Sequence, residues 1–189
     1  MSYNDAIDFD DEDDDASEAP AEAGGVVPWR GYLASLAMAG GGLFSAAACF
    51  SHSATDPSWN VAAPGPVQNG MGAAGAVVAD LMVQGLGVTA APVSLAIAGA
   101  AAYRFAAGPH LANFLNWRAY AGIGAGFGAA GFLSALPIPA SWPMATGMGG
   151  LIGDGVHALL RWPVEFVHAP SAPYIAAAIA GGGALVGLW

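Results

Sequence analysis

The sequence predicts an all-α membrane protein in which four transmembrane helices follow a disordered acidic tail. The first observation is charge: the chain has no lysine, and past residue 25 it carries only four acidic and four basic side chains. A soluble domain has roughly 25% charged residues and could not cover its surface with so few. The second is a series of apolar runs near the length of about 20 residues that a helix needs to cross a bilayer. The charged residues concerned are Asp56, Asp80, Asp154, Glu165, Arg30, Arg104, Arg118 and Arg161.

Residues 1–28 have the opposite character and are predicted to form a disordered acidic tail on the cytoplasmic side. Ten of the fourteen acidic residues of the chain lie between Asp5 and Glu22. Mutual repulsion and a shortage of apolar side chains leave little to offset the entropy lost on ordering. Because neutralising phosphates requires Lys and Arg, we expect no direct nucleic-acid binding by this chain. Residues 29–189 form the predicted four-helix transmembrane domain.

The first half of that domain begins with an uncharged apolar run at residues 31–50, the first predicted span. Residues 51–69 are polar and rich in Pro, which indicates a surface loop. The next apolar run, residues 70–103, is too long for one upright crossing. We therefore divide it into a short lead-in helix, ending at about residue 83, and a second span. Pro92 inside this span is a candidate position for a kink.

The second half repeats this order after a polar turn at residues 104–116. Its predicted elements are a third span at 119–136, a loop at 137–143, a lead-in segment at 147–160, a polar segment at 161–171 and a fourth span at 173–189. Trp-Arg-x-Tyr opens both halves, beginning at Trp29 and at Trp117. This repetition favours a duplicated two-span unit with the halves related by an axis along the membrane normal.

Orientation is predicted from the arginines, because basic residues stay preferentially on the cytoplasmic side. With the tail inside, Arg30, Arg104 and Arg118 are cytoplasmic and only Arg161 lies outside. Both termini are then cytoplasmic, and both lead-in helices lie on the opposite, outer side.

Glycines in the third span are predicted to let helices approach closely in the membrane. Gly122 with Gly126, and Gly124 with Gly128, form small-xxx-small pairs. Residues 126–131 also match the dinucleotide pattern G-x-G-x-x-G, but that pattern requires a preceding strand and a soluble helix. Helix packing is therefore the better interpretation. In the first lead-in helix, Gly72 and Gly75 are assigned the same packing role.

No catalytic, cofactor-binding or metal-binding residues are predicted. Cys49 is the only cysteine, the four histidines are scattered over both membrane sides, and a chain without lysine cannot contain a Walker A motif. Asp80 lies in the first lead-in helix. A carboxylate at membrane depth often marks an ion pathway, but near the interface a structural role in hydrogen bonding is preferred. Both readings stay open.

Three segments carry a resemblance to the FtsK/SpoIIIE family of DNA translocases. Residues 51–59 resemble the family segment S-x-x-x-x-D-P-S-[WF] after the first span. Residues 69–81 resemble N-x-x-G-x-x-G-A-x-x-A-D-L, and residues 149–153 resemble the glycine motif ahead of the fourth span. The likeness covers residues 29–189, which corresponds to the four-span membrane domain. No linker, motor or DNA-reading domain is present in this sequence, and whether it is a fragment or a stand-alone protein stays open.

The resemblance implies a non-enzymatic membrane anchor and assembly module for a DNA translocase of bacterial cell division and chromosome segregation. It further implies the division septum of the inner membrane as location, other division membrane proteins and the lipid bilayer as partners, and a homo-oligomer, hexameric if a motor is attached. The expected partner contacts are Asp56, Pro57, Ser58, Trp59 and Asp80. The alternative is a small transporter or channel subunit, which Asp80, the duplication and the glycines would fit.

Overall fold

The computed structural model of the protein describes residues 29–108 and 117–188, and within these ranges it contains helices and no strand. The prediction of an all-α fold is confirmed. The helices are α1 (Trp29–Phe50), α2 (Gly72–Leu86), α3 (Ala90–Ala107), α4 (Trp117–Ser134), α5 (Gly150–His168) and α6 (Ala172–Gly187). Short 3-10 turns, Gly87–Thr89 and Ala169–Ser171, connect α2 to α3 and α5 to α6. The predicted tail and most of the turn at residues 104–116 lie outside the described residues.

The first lead-in helix is longer than predicted, because α2 continues past residue 83 to Leu86. Gly87 then adopts a φ of +59° and its N–H caps the helix on the carbonyl of Val83. A positive φ is a backbone conformation that favours glycine. Pro92 lies in the first turn of α3 and not in its middle. In the first turn of a helix the missing N–H of proline disturbs no helical hydrogen bond.

The second lead-in helix was predicted to end at residue 160, and this boundary is wrong. α5 continues to His168 and includes Pro163. Residues 161–168 were assigned to a polar connection because of their charges, but Arg161 and Glu165 form an i,i+4 ion pair on the helix. Their polarity therefore belongs to one side of an amphipathic helix.

The interior of the protein consists of small side chains. Apart from Val83, every buried hydrophobic residue in the described part of the chain is an alanine. Large apolar side chains instead face outward along every helix whose exposure is described, among them Leu33, Leu43, Ile123 and Leu185. This distribution is typical of helices in lipid, where small residues let backbones approach and the bilayer solvates the large ones.

Helices α1 and α3 form an antiparallel pair. The rings of Tyr32, at the start of α1, and Phe105, at the end of α3, lie 5.3 Å apart and edge to face. In the middle of both helices, a Cβ on Gly42 would lie only 2.8 Å from the backbone N of Ala98. The two backbones therefore touch where a glycine leaves room.

Helices α4 and α6 form a second antiparallel pair. A Cβ on Gly128 would lie 2.7 Å from the carbonyl O of Ala180 and 2.8 Å from the N of Ala184. Gly187, at the end of α6, lies against Ala125 nearer the start of α4. The two pairs thus share the same architecture. In each pair a glycine of the first helix, Gly42 in α1 and Gly128 in α4, lies against the backbone of the second helix.

The two pairs meet through α2 and α5. Val88, just after α2, donates its N–H to the carbonyl of Met148, just before α5, at 2.8 Å. Gly87 and Gly150 lie so close at this junction that a side chain on either would meet backbone of the other segment. The connection between the halves is therefore made by backbone.

Three helical stretches are long and apolar enough to cross a membrane by length and composition: Trp29–Phe50, Gly72–Ala107 and Gly150–Gly187. The second joins α2 to α3, and the third joins α5 to α6. α4 is not among them, because its 18 residues include Arg118 and five glycines, which contribute little hydropathy.

Candidate partner-contact surface

The loop at residues 51–69 is fastened at both ends by one buried carboxylate. Asp56 is 3% exposed. Its Oδ1 accepts the N–H of Gln68 at 2.7 Å, and its Oδ2 accepts the N–H of Asn69 at 2.9 Å. Neither of these bonds goes to the backbone two residues later. The carboxylate instead closes the whole loop, since its acceptors reach backbone N–H groups at the far end.

Asn69 joins the end of α1 to the start of α2. Its buried amide donates to the carbonyls of Ala48 and Ser51, at 2.9 and 3.2 Å. Its Oδ1 accepts the N–H of Met71 at 3.0 Å, which satisfies one of the donors left free at a helix start. Asn69 begins the motif at residues 69–81, but no role was predicted for its side chain. Its place three residues before a glycine-rich helix is the signal that could have suggested a cap.

Ser58 and Asp80 connect the loop to the side of α2. The Ser58 hydroxyl donates to Asp80 Oδ2 at 2.6 Å, and the Gln84 amide donates to Asp80 Oδ1 at 2.7 Å. Asn60 in turn donates to Gln84 Oε1 at 3.2 Å. Asp80 is 4% exposed, and buried carboxylates need such partners. The structure thus gives Asp80 the hydrogen-bonding arrangement that the structural reading requires.

Trp59 lies at the tip of this fastened loop and is 80% exposed. The preceding Pro57 is half-buried and has a fixed φ. On the other side, the Ser58 hydroxyl accepts the N–H groups of Asn60 and Val61, at 3.3 and 3.2 Å. The backbone on both sides of the indole is therefore fixed, while the ring itself is free to contact lipid or protein.

Two of the predicted packing glycines shape the start of α2. Gly72 is the first residue of the helix and has a φ of +70°. Gly75 is buried, and a Cβ there would overlap Asn69 Oδ1 and the side chain of Met71. Both glycines thus serve the connection between loop and helix, and their role in packing between helices stays a prediction.

The predicted glycines of α4 have unequal surroundings. Gly128 is buried against the backbone of α6, and Gly126 lies 3.7 Å from Val93 Cγ2 of α3, measured from an added Cβ. Gly122 and Gly124 would meet nothing within 4 Å among the described residues. The predicted packing of these last two glycines stays a prediction that would need a partner outside this chain.

The second half contains a related helix start without the loop motif. Gly72 donates its N–H to the carbonyl of Asn69, and Gly150 donates to the carbonyl of Gly147, each at 2.9 Å. Gly150 has a φ of +68°, close to that of Gly72. Asp154 here accepts the N–H of Gly147 at 3.0 Å from within the helix. The backbone geometry recurs, while the side chains that secure it differ.

The arrangement of this surface is suited to recognising a partner. Among residues 29–108 and 117–188, no group of three or more His, Cys, Asp or Glu side chains is placed to hold a metal ion. Ser94, a buried polar residue within α3, donates its hydroxyl to the carbonyl of Ala90 on its own helix at 2.8 Å. Asp56 and Asp80 use their oxygens to position the loop, which leaves Trp59 and its neighbours as the outward feature.

An alanine interior, outward apolar side chains and paired antiparallel helices define a polytopic α-helical membrane domain. The chain belongs to the FtsK/SpoIIIE family, because residues 32–184 match the 4TM region of DNA translocase FtsK/SpoIIIE. This confirms the resemblance found in the motifs. Together with the apolar helices, family membership makes the chain an inner-membrane protein.

The proteins similar to this chain are much longer than the region that matches it. The chain is 32% identical over 167 residues to the DNA translocase FtsK of Caulobacter vibrioides, which covers 87% of this chain and 19% of the relative. It is 35% identical over 159 residues to the DNA translocase FtsK of Brucella suis, covering 84% of this chain and 17% of the relative. The chain thus spans about a fifth of the length of these curated relatives. No solved structure matches it.

Proposed function

We propose that this chain is the membrane anchor and assembly module of a DNA translocase that acts in bacterial cell division and chromosome segregation, and that it is not catalytic by itself. The observation that carries the proposal is the family match over residues 32–184, which is confined to a membrane region of proteins named DNA translocases. The fastened loop with its exposed Trp59 supplies a surface suited to assembly.

The proposed topology has four crossings, α1, α3, α4 and α6. Helix α2 starts beside Ala48 at the end of α1 and stops immediately before α3. Since α3 runs antiparallel to α1, both ends of α2 lie at the same end of that pair. By the same argument, α5 starts beside Ala130 near the end of α4 and stops immediately before α6. Neither α2 nor α5 then crosses the bilayer, and together the halves form a duplicated two-span unit.

The proposed orientation places the loop at residues 51–69 and the helices α2 and α5 on the outer side. Arg30 and Arg118 are the second residues of α1 and α4, and Arg104 lies in the last turn of α3. These three residues lie at the ends opposite α2 and α5, where the positive-inside rule puts the cytoplasm. Residues 29–189 then form one membrane domain, with the acidic tail of residues 1–28 in the cytoplasm.

The proposed contact surface consists of Pro57 and Trp59, held in place by Asp56, Ser58 and Asp80. Exposed aromatic residues on a fixed backbone are suited to filling a partner's pocket at low entropic cost. We propose other membrane proteins of the division machinery as partners. The chain is also proposed to form homo-oligomers, hexameric where a motor is attached.

The test is localisation of a fluorescent fusion in dividing cells. The unmutated chain should concentrate at the septum, and Trp59→Ala should abolish this enrichment at normal abundance. Trp29→Ala is the matched control, since it removes an exposed tryptophan from the other end of α1. Septal fluorescence in Trp59→Ala would exclude this loop as the determinant. Uniform membrane fluorescence of the unmutated chain would remove the division role for this chain and favour a transporter or channel subunit.

A further inference from the structure

The first half of α5 is packed against other helices, whereas most side chains of its second half are exposed. Gly150 and Gly153 are buried against α2 and α4, and Val156 lies against Gly131 of α4. From Leu159 to His168 nearly every residue is exposed, and Phe166 reaches 77% exposure. The side chains of this segment are therefore open to contact with lipid, water or another protein.

One side of α5 is a continuous polar stripe. Its members recur at intervals of three and four residues: Asp154, His157, Arg161, Glu165 and His168. Such spacing places them along one side of a helix. Arg161 and Glu165 pair with each other, so the exposed part of the stripe carries no net charge from these residues.

A different side of α5 is an exposed apolar stripe made of Leu151, Leu159, Trp162 and Phe166. Its centre is about 120° around the helix from the polar stripe, at about 3.6 residues per turn. The rings of Trp162 and Phe166 lie 5.4 Å apart and edge to face. The third side, which includes Gly153 and Val156, is the one that packs on α4. In the first half of α5 each third of the helix circumference thus has its own environment, whereas in the second half Val167, on the third side, is 86% exposed.

We infer that the second half of α5 lies in the plane of the bilayer surface, with its apolar stripe inserted among the lipids of the outer leaflet. In the proposed topology both ends of α5 lie at the same end of the α4–α6 pair, and the helix then lies at the level of the headgroups. Tyr174, exposed in the first turn of α6, continues the apolar and aromatic surface towards the crossing helices. Tryptophan and tyrosine favour this level because one part of the ring is apolar and another can hydrogen-bond.

The apolar stripe contacts lipid, because it is continuous with the outward apolar surface of the domain. Helices of this type usually carry Lys and Arg on the polar side and depend on anionic lipid. Here Arg161 is neutralised by Glu165, so insertion should not depend on anionic headgroups. This inference rests on the proposed placement of α5 beside the crossing helices, and the experiment separates the two.

The experiment is spin-label accessibility in the full chain, reconstituted in phosphatidylethanolamine/phosphatidylglycerol vesicles. Cys49→Ser removes the native thiol, and single cysteines at positions 159, 161, 165 and 166 carry the label. Labels at 159 and 166 should be accessible to oxygen and shielded from a water-soluble nickel chelate, and those at 161 and 165 should show the reverse. Replacing phosphatidylglycerol by phosphatidylcholine should leave the pattern unchanged at 159 and 166, where the Arg161–Glu165 pair is intact. Leu43, exposed in the middle of α1, is the control position and should report oxygen access throughout.

Chelate access at 159 and 166 would place the helix in water and overturn the inference. Shielding of both positions from oxygen and from the chelate would overturn it in favour of a protein cover, including a second copy. Oxygen access with chelate shielding at all four positions would show that α5 crosses the bilayer, which refutes its placement. As a second variant, Trp162→Asp with Phe166→Asp should make the label at 159 chelate-accessible, while the control label at 43 stays unchanged.

Discussion

Gly124 and Gly128 provide a matched pair of positions, one helical turn apart on α4, for testing how the second helix pair is held together. Replacing either by alanine adds one methyl group and gains about 1 kcal/mol of helix propensity. This gain cancels when the two variants are compared. A Cβ on Gly128 would lie 2.7 Å from Ala180 O, whereas a Cβ on Gly124 meets nothing within 4 Å in the described chain.

The difference between the variants then reports the contact with α6 alone. Carbon atoms prefer separations of about 3.5–4.0 Å, so α6 would have to move by up to about 1 Å. Overpacking of this kind costs about 1–3 kcal/mol. Reversible unfolding in detergent should therefore find Gly128→Ala less stable than Gly124→Ala by that amount. Equal stability of the two variants would refute the close contact between α4 and α6.

Other predictions concern the loop, the junction and the tail. Asn69→Ala should lower the free energy of unfolding by about 1–3 kcal/mol, because it leaves buried backbone groups without partners, whereas the exposed Asn60→Ala should change it little. Gly87→Ala should lower the free energy of unfolding in detergent by at least about 1 kcal/mol, because its positive φ with a ψ of −136° is a strained conformation for alanine. The loss should be larger still because Met148 O occupies the space that a Cβ would need. Deleting residues 1–28 should leave insertion and stability nearly unchanged, and loss of folded protein would contradict the tail prediction.

The membrane class and the helices could be predicted from sequence because they depend on patterns along the chain. Scarcity of charge and apolar runs indicate lipid as the solvent, and Gly, Pro and polar clusters mark where helices end. The end of α5 was missed for a physical reason. Charged residues such as Arg161 and Glu165 indicate a polar connection between helices, unless their four-residue spacing is considered together with that of Trp162 and Phe166. An amphipathic helix at a surface has no uniform apolar run.

The details of the candidate surface depend on contacts between residues far apart in sequence. Asp56, Ser58 and Asp80 belong to recognisable motifs, but nothing in the sequence pairs Ser58 with Asp80 or Asp56 with the backbone at Asn69. Gly42 was also missed, because its glycine neighbours in α1 look the same in sequence. Only the packing against Ala98 distinguishes it from them.

The proposed four crossings are tested most directly by labelling single cysteines from outside intact cells, after removal of Cys49. Ala62 and Ser141 are exposed positions in the loops that follow α1 and α4, and Ala107 ends α3. We predict labelling at 62 and 141 and protection at 107. If α4 did not cross, the loop containing residue 141 would lie on the same side as residue 107. Labelling at 62 with protection at both 107 and 141 would therefore contradict the account, as would labelling at 107.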